Sequence, residues 1–202
     1  MYGIFMPFNY IASSFFINKL YDNKVTEESL NSAGELMALP FIVSGITVPL
    51  IALWIDKYGY RCVLLNISSI TICLSFVIMQ LYSIIPGLIL FGLSFSIFAA
   101  VVWPSIALVI SEKYVGFALS LTTSMQNLWM SLFPLIVAFI YSKYNRYDYV
   151  LSFFTFLSII AILLSISITK INGDNNGILN KNEDYFIQIS KIESKYDDKN
   201  EI

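Results

Sequence analysis

Long apolar runs separated by short polar turns fill most of this chain. Their spacing predicts six membrane spans, at about residues 1–17, 32–55, 62–85, 86–110, 116–141 and 149–169. The first run is short for a span and begins at full hydrophobicity. It has neither the positive n-region nor the small-residue cleavage site of a signal peptide. The simpler expectation is a span whose first turn is missing, in a chain that forms the rear part of a longer protein. The sharpest turn is Leu53 to Arg61. Asp56, Lys57 and Arg61 are costly in hydrocarbon, so the chain leaves the bilayer there and turns back at once. Gly59 permits the turn, and Trp54, Tyr58 and Tyr60 carry rings suited to headgroup level. The polar stretch Asn18 to Asn31 holds a helix start at Thr26 or Ser29. From residue 170 to 202 Asn, Lys, Asp and Glu dominate, which predicts a solvated, disordered tail.

Composition sharpens the class. Hydrophobic residues make up 57% and charged residues 13%, against about 25% charged in a soluble domain, and the mean hydropathy is +0.71. The fold class is therefore all-α and polytopic, with the lipid bilayer as the first partner. The net charge of -2 is spread over turns and tail, and no basic patch or motif points to nucleic acid. There is no histidine, and no nucleophile–base pair or metal cluster of recognisable spacing remains, so neither an enzyme nor a metal or cofactor site is expected. Cys62 and Cys73 lie eleven residues apart on one predicted helix, a rise of roughly 16 Å, too far for a disulfide between them.

The spans differ in kind. The third and sixth contain neither glycine nor proline and read as straight supports, whereas the other four hold all six prolines, as bent helices around a pathway require. In the first, Pro7 stands beside Asn9 and Tyr10; a kink packed on a neighbour and a cavity lining are both open. Glu35 is the one acid near a span interior, either an interfacial carboxylate or a proton or substrate group. Gly92, Ser96, Ala100 and Pro104 recur every fourth residue, a small-residue stripe that lets another helix approach. Trp103 lies nine residues before Glu112, roughly 13 Å below the charged end, deeper than an interfacial belt and placed to wall a cavity. In the fifth span Ser120, Ser124, Asn127 and Ser131 share one face, with Thr123 at its edge and Gln126 on the flank. Such amides are satisfied either by a pocket or by a neighbouring helix. Asn66-Ile67-Ser68 spells a glycosylation sequon, discounted because it lies within a span.

The turn Lys143 to Asp148 echoes Lys57 to Arg61, and each follows the second helix of a triplet. That suggests a three-plus-three inverted repeat. Short-turn charges balance across the membrane; only the tail lysines, beginning with Lys181, favour a cytosolic C-terminus.

Pro49, six residues, then Asp56-Lys57-x-Gly59 resembles the turn between the eighth and ninth helices of major facilitator superfamily carriers. Gly92-Leu93-Ser94-Phe95-Ser96, Trp103-Pro104, Gly116 and Ser124-x-Gln126-Asn127-Leu128 are similar, at matching spacing, to the lysosomal dipeptide uniporter branch of that superfamily. The resemblance implies helices seven to twelve of a twelve-helix carrier, with an N-terminal half absent here, in a lysosomal or other acidic-organelle membrane. It implies alternating-access transport of a small organic solute such as a dipeptide or amino-acid-like molecule. Asn9, Tyr10, Trp103, Thr123, Gln126 and Asn127 would bind substrate, and Asp56, Lys57, Gly59 and Arg61 would form a conformational motif whose partner lies in the other half. A six-helix half-carrier acting as a dimer, and a non-transporting accessory protein, stay open.

Overall fold

The computed structural model describes residues 1–22, 24–182 and 185. Among these the chain forms six α-helices, a single 3-10 turn and no strand: α1 (Tyr2–Tyr21), α2 (Glu27–Tyr58), α3 (Arg61–Leu81), α4 (Ile84–Val109), α5 (Glu112–Tyr144), α6 (Tyr147–Asp174) and the turn Ile178–Asn180. Five of the six are long and apolar enough to cross a membrane; α1 is the exception, its apolarity diluted by Asn9, Ser13, Ser14 and Asn18.

The helices overrun the apolar spans, because a helix satisfies its own backbone groups whether it lies in lipid or in the headgroups. α2 starts at Thr26, whose Oγ1 accepts from the N–H of Ser29 at 3.2 Å while the Thr26 N–H donates to the Ser29 Oγ at 2.9 Å. This reciprocal cap places Glu27 and Glu28 in a first turn whose dipole favours acids. Its 32 residues run about 48 Å, well beyond a hydrocarbon core of about 30 Å. Two expected boundaries move. α3 stops at Leu81 and α4 starts at Ile84, because extended Ser83 breaks the chain and Pro86 becomes the third helical residue, where a missing N–H costs nothing. α6 continues past residue 169 to Asp174, so the first part of the expected tail is helix and turn rather than solvated coil; apart from Tyr185, residues beyond 182 lie outside the described set.

The two triplets interleave. α2 packs on α4, α5 packs on α1, and α3 packs on both α4 and α6. If α1–α3 and α4–α6 are equivalent units, the contact of α2 with α4 maps onto that of α5 with α1. An odd number of helices per unit sets the second unit upside down relative to the first. The packing is thus the pattern an inverted repeat of three helices requires.

At the centre, phenylalanines of α1 bind the bundle together. Phe5 stacks between Phe91 and Phe95 of α4, with centroids 4.5 and 3.9 Å away. Phe8 meets Phe76 of α3, Phe91 of α4 and Phe154 of α6 at 5.3, 5.1 and 5.7 Å. Polar pairs fix the register. Ser68 and Ser94 each donate to the other's carbonyl, at 3.0 and 2.8 Å, across α3 and α4. Asn66 donates to Thr169 and accepts from Ser165, both at 2.8 Å, across α3 and α6. The discounted sequon asparagine is therefore a helix–helix fastener. Lys19 reaches from α1 to the end of α3, donating to the Met79 carbonyl at 2.6 Å.

The small-residue stripe of α4 faces inward at Gly92, Ser96 and Ala100, while Pro104 is exposed. A Cβ on Gly92 would sit 2.8 Å from the Pro40 carbonyl oxygen and 2.9 Å from its Cα, both backbone atoms of α2. Gly45 has nothing within 4 Å. Gly92→Ala is therefore expected to destabilise the bundle by about 1–3 kcal/mol, seen as a lower thermal midpoint in detergent. Gly45→Ala should leave that midpoint unchanged or slightly raised, since alanine favours helix by up to about 1 kcal/mol.

Candidate functional site

Two helices stay on the outside of the bundle. α5 buries only Val137, and α2 buries Ser29, Ala33, Pro40, Ser44 and Ile55. The polar face expected on α5 is real and points outward: Ser120, Thr123, Ser124, Asn127 and Ser131 are all exposed. The hydroxyls turn back on their own helix, Thr123 donating to the Leu119 carbonyl at 2.8 Å and Ser131 to that of Asn127 at 3.1 Å. Such bonds lower the cost of a hydroxyl in a dry setting. An amide has more donors and acceptors than one turn of helix can satisfy. Asn127 has no side-chain hydrogen bond among the described residues, and Gln126, half-buried on the flank, reaches only the Met130 sulfur at 3.7 Å.

The other expected site residues lie elsewhere. Tyr10 is 61% exposed, whereas its neighbour Asn9 turns into the bundle and donates to the Phe5 carbonyl at 2.9 Å. Successive helical residues point about 100° apart, so the two serve different surfaces. Trp103 is half-buried, its indole N–H donating 2.8 Å to the Tyr2 hydroxyl, with the two rings 5.9 Å apart. No sequence spacing links residues 2 and 103, so this partner was invisible beforehand. α1 and α5 meet where a Cβ on Gly3 would sit 2.9 Å from the Phe133 ring and 3.0 Å from the Trp129 Cβ.

None of the six expected substrate residues lines the principal cavities. One of about 560 Å³ opens beside the end of α1 and the start of α2 and is lined by Lys19, Ser32, Glu35, Leu39, Tyr82 and Ile84 among others. Glu35 is exposed on its wall, consistent with an interfacial carboxylate.

The turn between α2 and α3 is built more tightly than its sequence suggested. Gly59 adopts φ 74° and Tyr60 φ 56°, both left-handed. Asp56 and Lys57 point outward, Lys57 lying 5.1 Å from the Tyr58 ring centre. Arg61 is 4% exposed and donates from Nη1 to the Lys181 carbonyl at 2.8 Å, leaving Nε buried without a partner among the described residues. Of the four expected motif residues, two are therefore outward and two inward.

The sequence profile of the Major Facilitator Superfamily matches residues 1–193. The chain belongs to the Major Facilitator Superfamily. It is a multi-pass membrane protein of that superfamily, and the relatives it matches are named as transporters. Within the superfamily it is similar to the lysosomal dipeptide transporter MFSD1 of Bos taurus, 24% identical over 89% of this chain and 37% of that protein. The same transporter of Danio rerio is 29% identical over 64% of this chain and 27% of its own length, and that of Homo sapiens 24% over 86% and 37%. The chain thus spans between 27% and 37% of the length of these relatives.

Exposure and bonding separate two asparagines of this superfamily chain. Asn66→Leu removes both fasteners between α3 and α6 and is expected to cost about 1 kcal/mol. Asn127→Leu removes no bond and should stay within about 0.5 kcal/mol of the parent. Thermal unfolding of the two variants in the same detergent checks the contrast.

Proposed function

We propose that this bundle is one half of an alternating-access carrier, and that the open face of α5 looks onto the substrate pathway at the junction with a second bundle. The observation that carries the reading is Asn127: an amide at mid-span depth, exposed and without a side-chain partner among the described residues. In hydrocarbon such a group costs several kcal/mol, on the order of 2–7, so in the working protein it meets water, substrate or another protein surface. Thr123 beside it and Gln126 on the flank extend the same polar strip. Tyr10, Asn9 and Trp103 stand behind it as second candidates, with Trp103 positioned through Tyr2.

The chemistry of the strip is neutral hydrogen bonding beside aromatic surface, which suits a zwitterionic or uncharged small solute. The relatives carry dipeptide transport in their names, and short peptides are the substrate class we assign, in a lysosomal or similar membrane with the C-terminus in the cytosol. Groups that pair with the charged ends of a peptide come from the second bundle, either further sequence of the same polypeptide or a second copy. Asp56 and Lys57, which point away from this bundle, are the contacts offered to it. Because Glu35 lies at the rim rather than on the strip, we assign uniport.

Uptake of labelled dipeptide into proteoliposomes tests this. The intact carrier is expected to take up dipeptide equally with and without an imposed pH gradient. Asn127→Leu should lower the initial rate at least tenfold, roughly the worth of one hydrogen bond whose partner is left buried and unpaired. Undiminished uptake by a correctly folded Asn127→Leu variant would refute the pathway assignment.

A further inference from the structure

The chain beyond α6 folds back onto the turn between α2 and α3. Asn172 organises the reversal: its carbonyl accepts from the Gly177 N–H at 2.8 Å and its side-chain Oδ1 from the Leu179 N–H at 3.0 Å. Asn176 and Gly177 take left-handed conformations, φ 61° and 66°, which turn the chain sharply. The 3-10 turn then lays Asn180 across the start of α3. The Asn180 Oδ1 accepts from the Cys62 N–H at 3.1 Å, its carbonyl from the Tyr60 N–H at 3.4 Å, and the Lys181 carbonyl from Arg61 Nη1 at 2.8 Å.

These contacts supply what α3 lacks. A helix opens with N–H groups that have no partner inside it, and an asparagine oxygen is among the best acceptors for them. The residue in the capping position of α3, Tyr60, is left-handed and makes no side-chain cap. The cap arrives instead from Asn180, 118 residues further along the chain. Gly59 makes room for it: a Cβ there would collide with the Asn180 carbonyl oxygen and stand 2.8 Å from that of Lys181. Arg61, otherwise a buried cation, has its one side-chain hydrogen bond among the described residues to the same strap.

We infer that Asn180 is a positioning residue: it caps α3 from a distance and so holds the Asp56–Arg61 turn in the form that presents Asp56 and Lys57 outward to the second bundle. The strap from Asn172 to Lys181 is a clip whose release lets the turn and the Arg61 guanidinium move. The role in transport rests on the carrier reading given above; the clip itself does not.

Cys62 reports on the clip, since it is completely buried in the first turn of α3. In the intact carrier in proteoliposomes, with Cys73 and any cysteine of the second bundle replaced by alanine, Asn180→Ala is expected to speed modification of Cys62 by a thiol reagent about fivefold, the worth of one helix cap. Asn180→Asp keeps the acceptor and should restore the slow rate. Hydrogen exchange of the Cys62 amide should rise and recover in parallel. Cys62 labelling and exchange unchanged in Asn180→Ala would overturn the clip whatever happens to transport. If the clip opens, the maximal uptake rate should change severalfold in Asn180→Ala, with half-saturation unchanged and recovery in Asn180→Asp. An opened clip with an unaltered maximal rate would overturn the positioning role. Absence of dipeptide uptake by the parent protein refutes the substrate assignment alone, because the thiol and exchange readouts need no substrate.

Discussion

Phe8 is the point on which the bundle turns, because a single ring touches rings from three other helices, Phe76, Phe91 and Phe154. In water this would be an ordinary hydrophobic core. In lipid it cannot be, since acyl chains solvate phenylalanine as well as another helix does. What remains is close packing and ring geometry, with an offset or edge-to-face aromatic pair worth about 0.5–1.5 kcal/mol beyond buried area. α1 is the one helix of the six without a stretch long and apolar enough to cross a membrane, yet it supplies Phe5, Phe8, Phe15 and Phe16 to the interior. It is retained by what it packs against rather than by preference for the bilayer.

That centre makes the bundle asymmetric. α1, α3, α4 and α6 share the ring cluster, and their polar groups are closed off in pairs such as Ser68 with Ser94 and Asn66 with Ser165 and Thr169. α2 and α5 pack against these four through close glycine contacts at Gly92 and Gly3 and ring contacts of Phe41 and Phe133, and leave long faces uncovered. Among the described residues the unpaired amide, Asn127, is therefore on an outer helix; inside the bundle the exception is Arg61 Nε at the start of α3. A carrier built from two such bundles has its adaptable chemistry at the junction, where the bundles move past each other, and its rigid chemistry within each bundle.

The helix count and the polar face of α5 were legible in the sequence, because each follows from a local period: long apolar runs, and a spacing of three and four. The capping role of Thr26 was legible for the same reason. What stayed hidden were contacts between residues far apart in the chain. Nothing near residue 103 names Tyr2, and nothing near residue 60 names Asn180. The boundary between α3 and α4 was misplaced because Pro86 reads as a break, although a proline in the first turn of a helix starts it rather than stops it. The tail reads as uniform because its composition is. Asn172 and the Asn176-Gly177 pair nevertheless carried a helix-stop signal before the strap.

The account stands on the exposed face of α5 belonging to a water-accessible pathway between two bundles. Single cysteines placed by Thr123→Cys and Asn127→Cys in an intact carrier lacking Cys62 and Cys73, probed with a membrane-impermeant thiol reagent from each side of the membrane, test this directly. The account predicts labelling at both positions from either side, slowed by saturating dipeptide, with no labelling of a cysteine on the aliphatic α6 surface at Leu163. Positions 123 and 127 as inert as position 163 under every condition would contradict it.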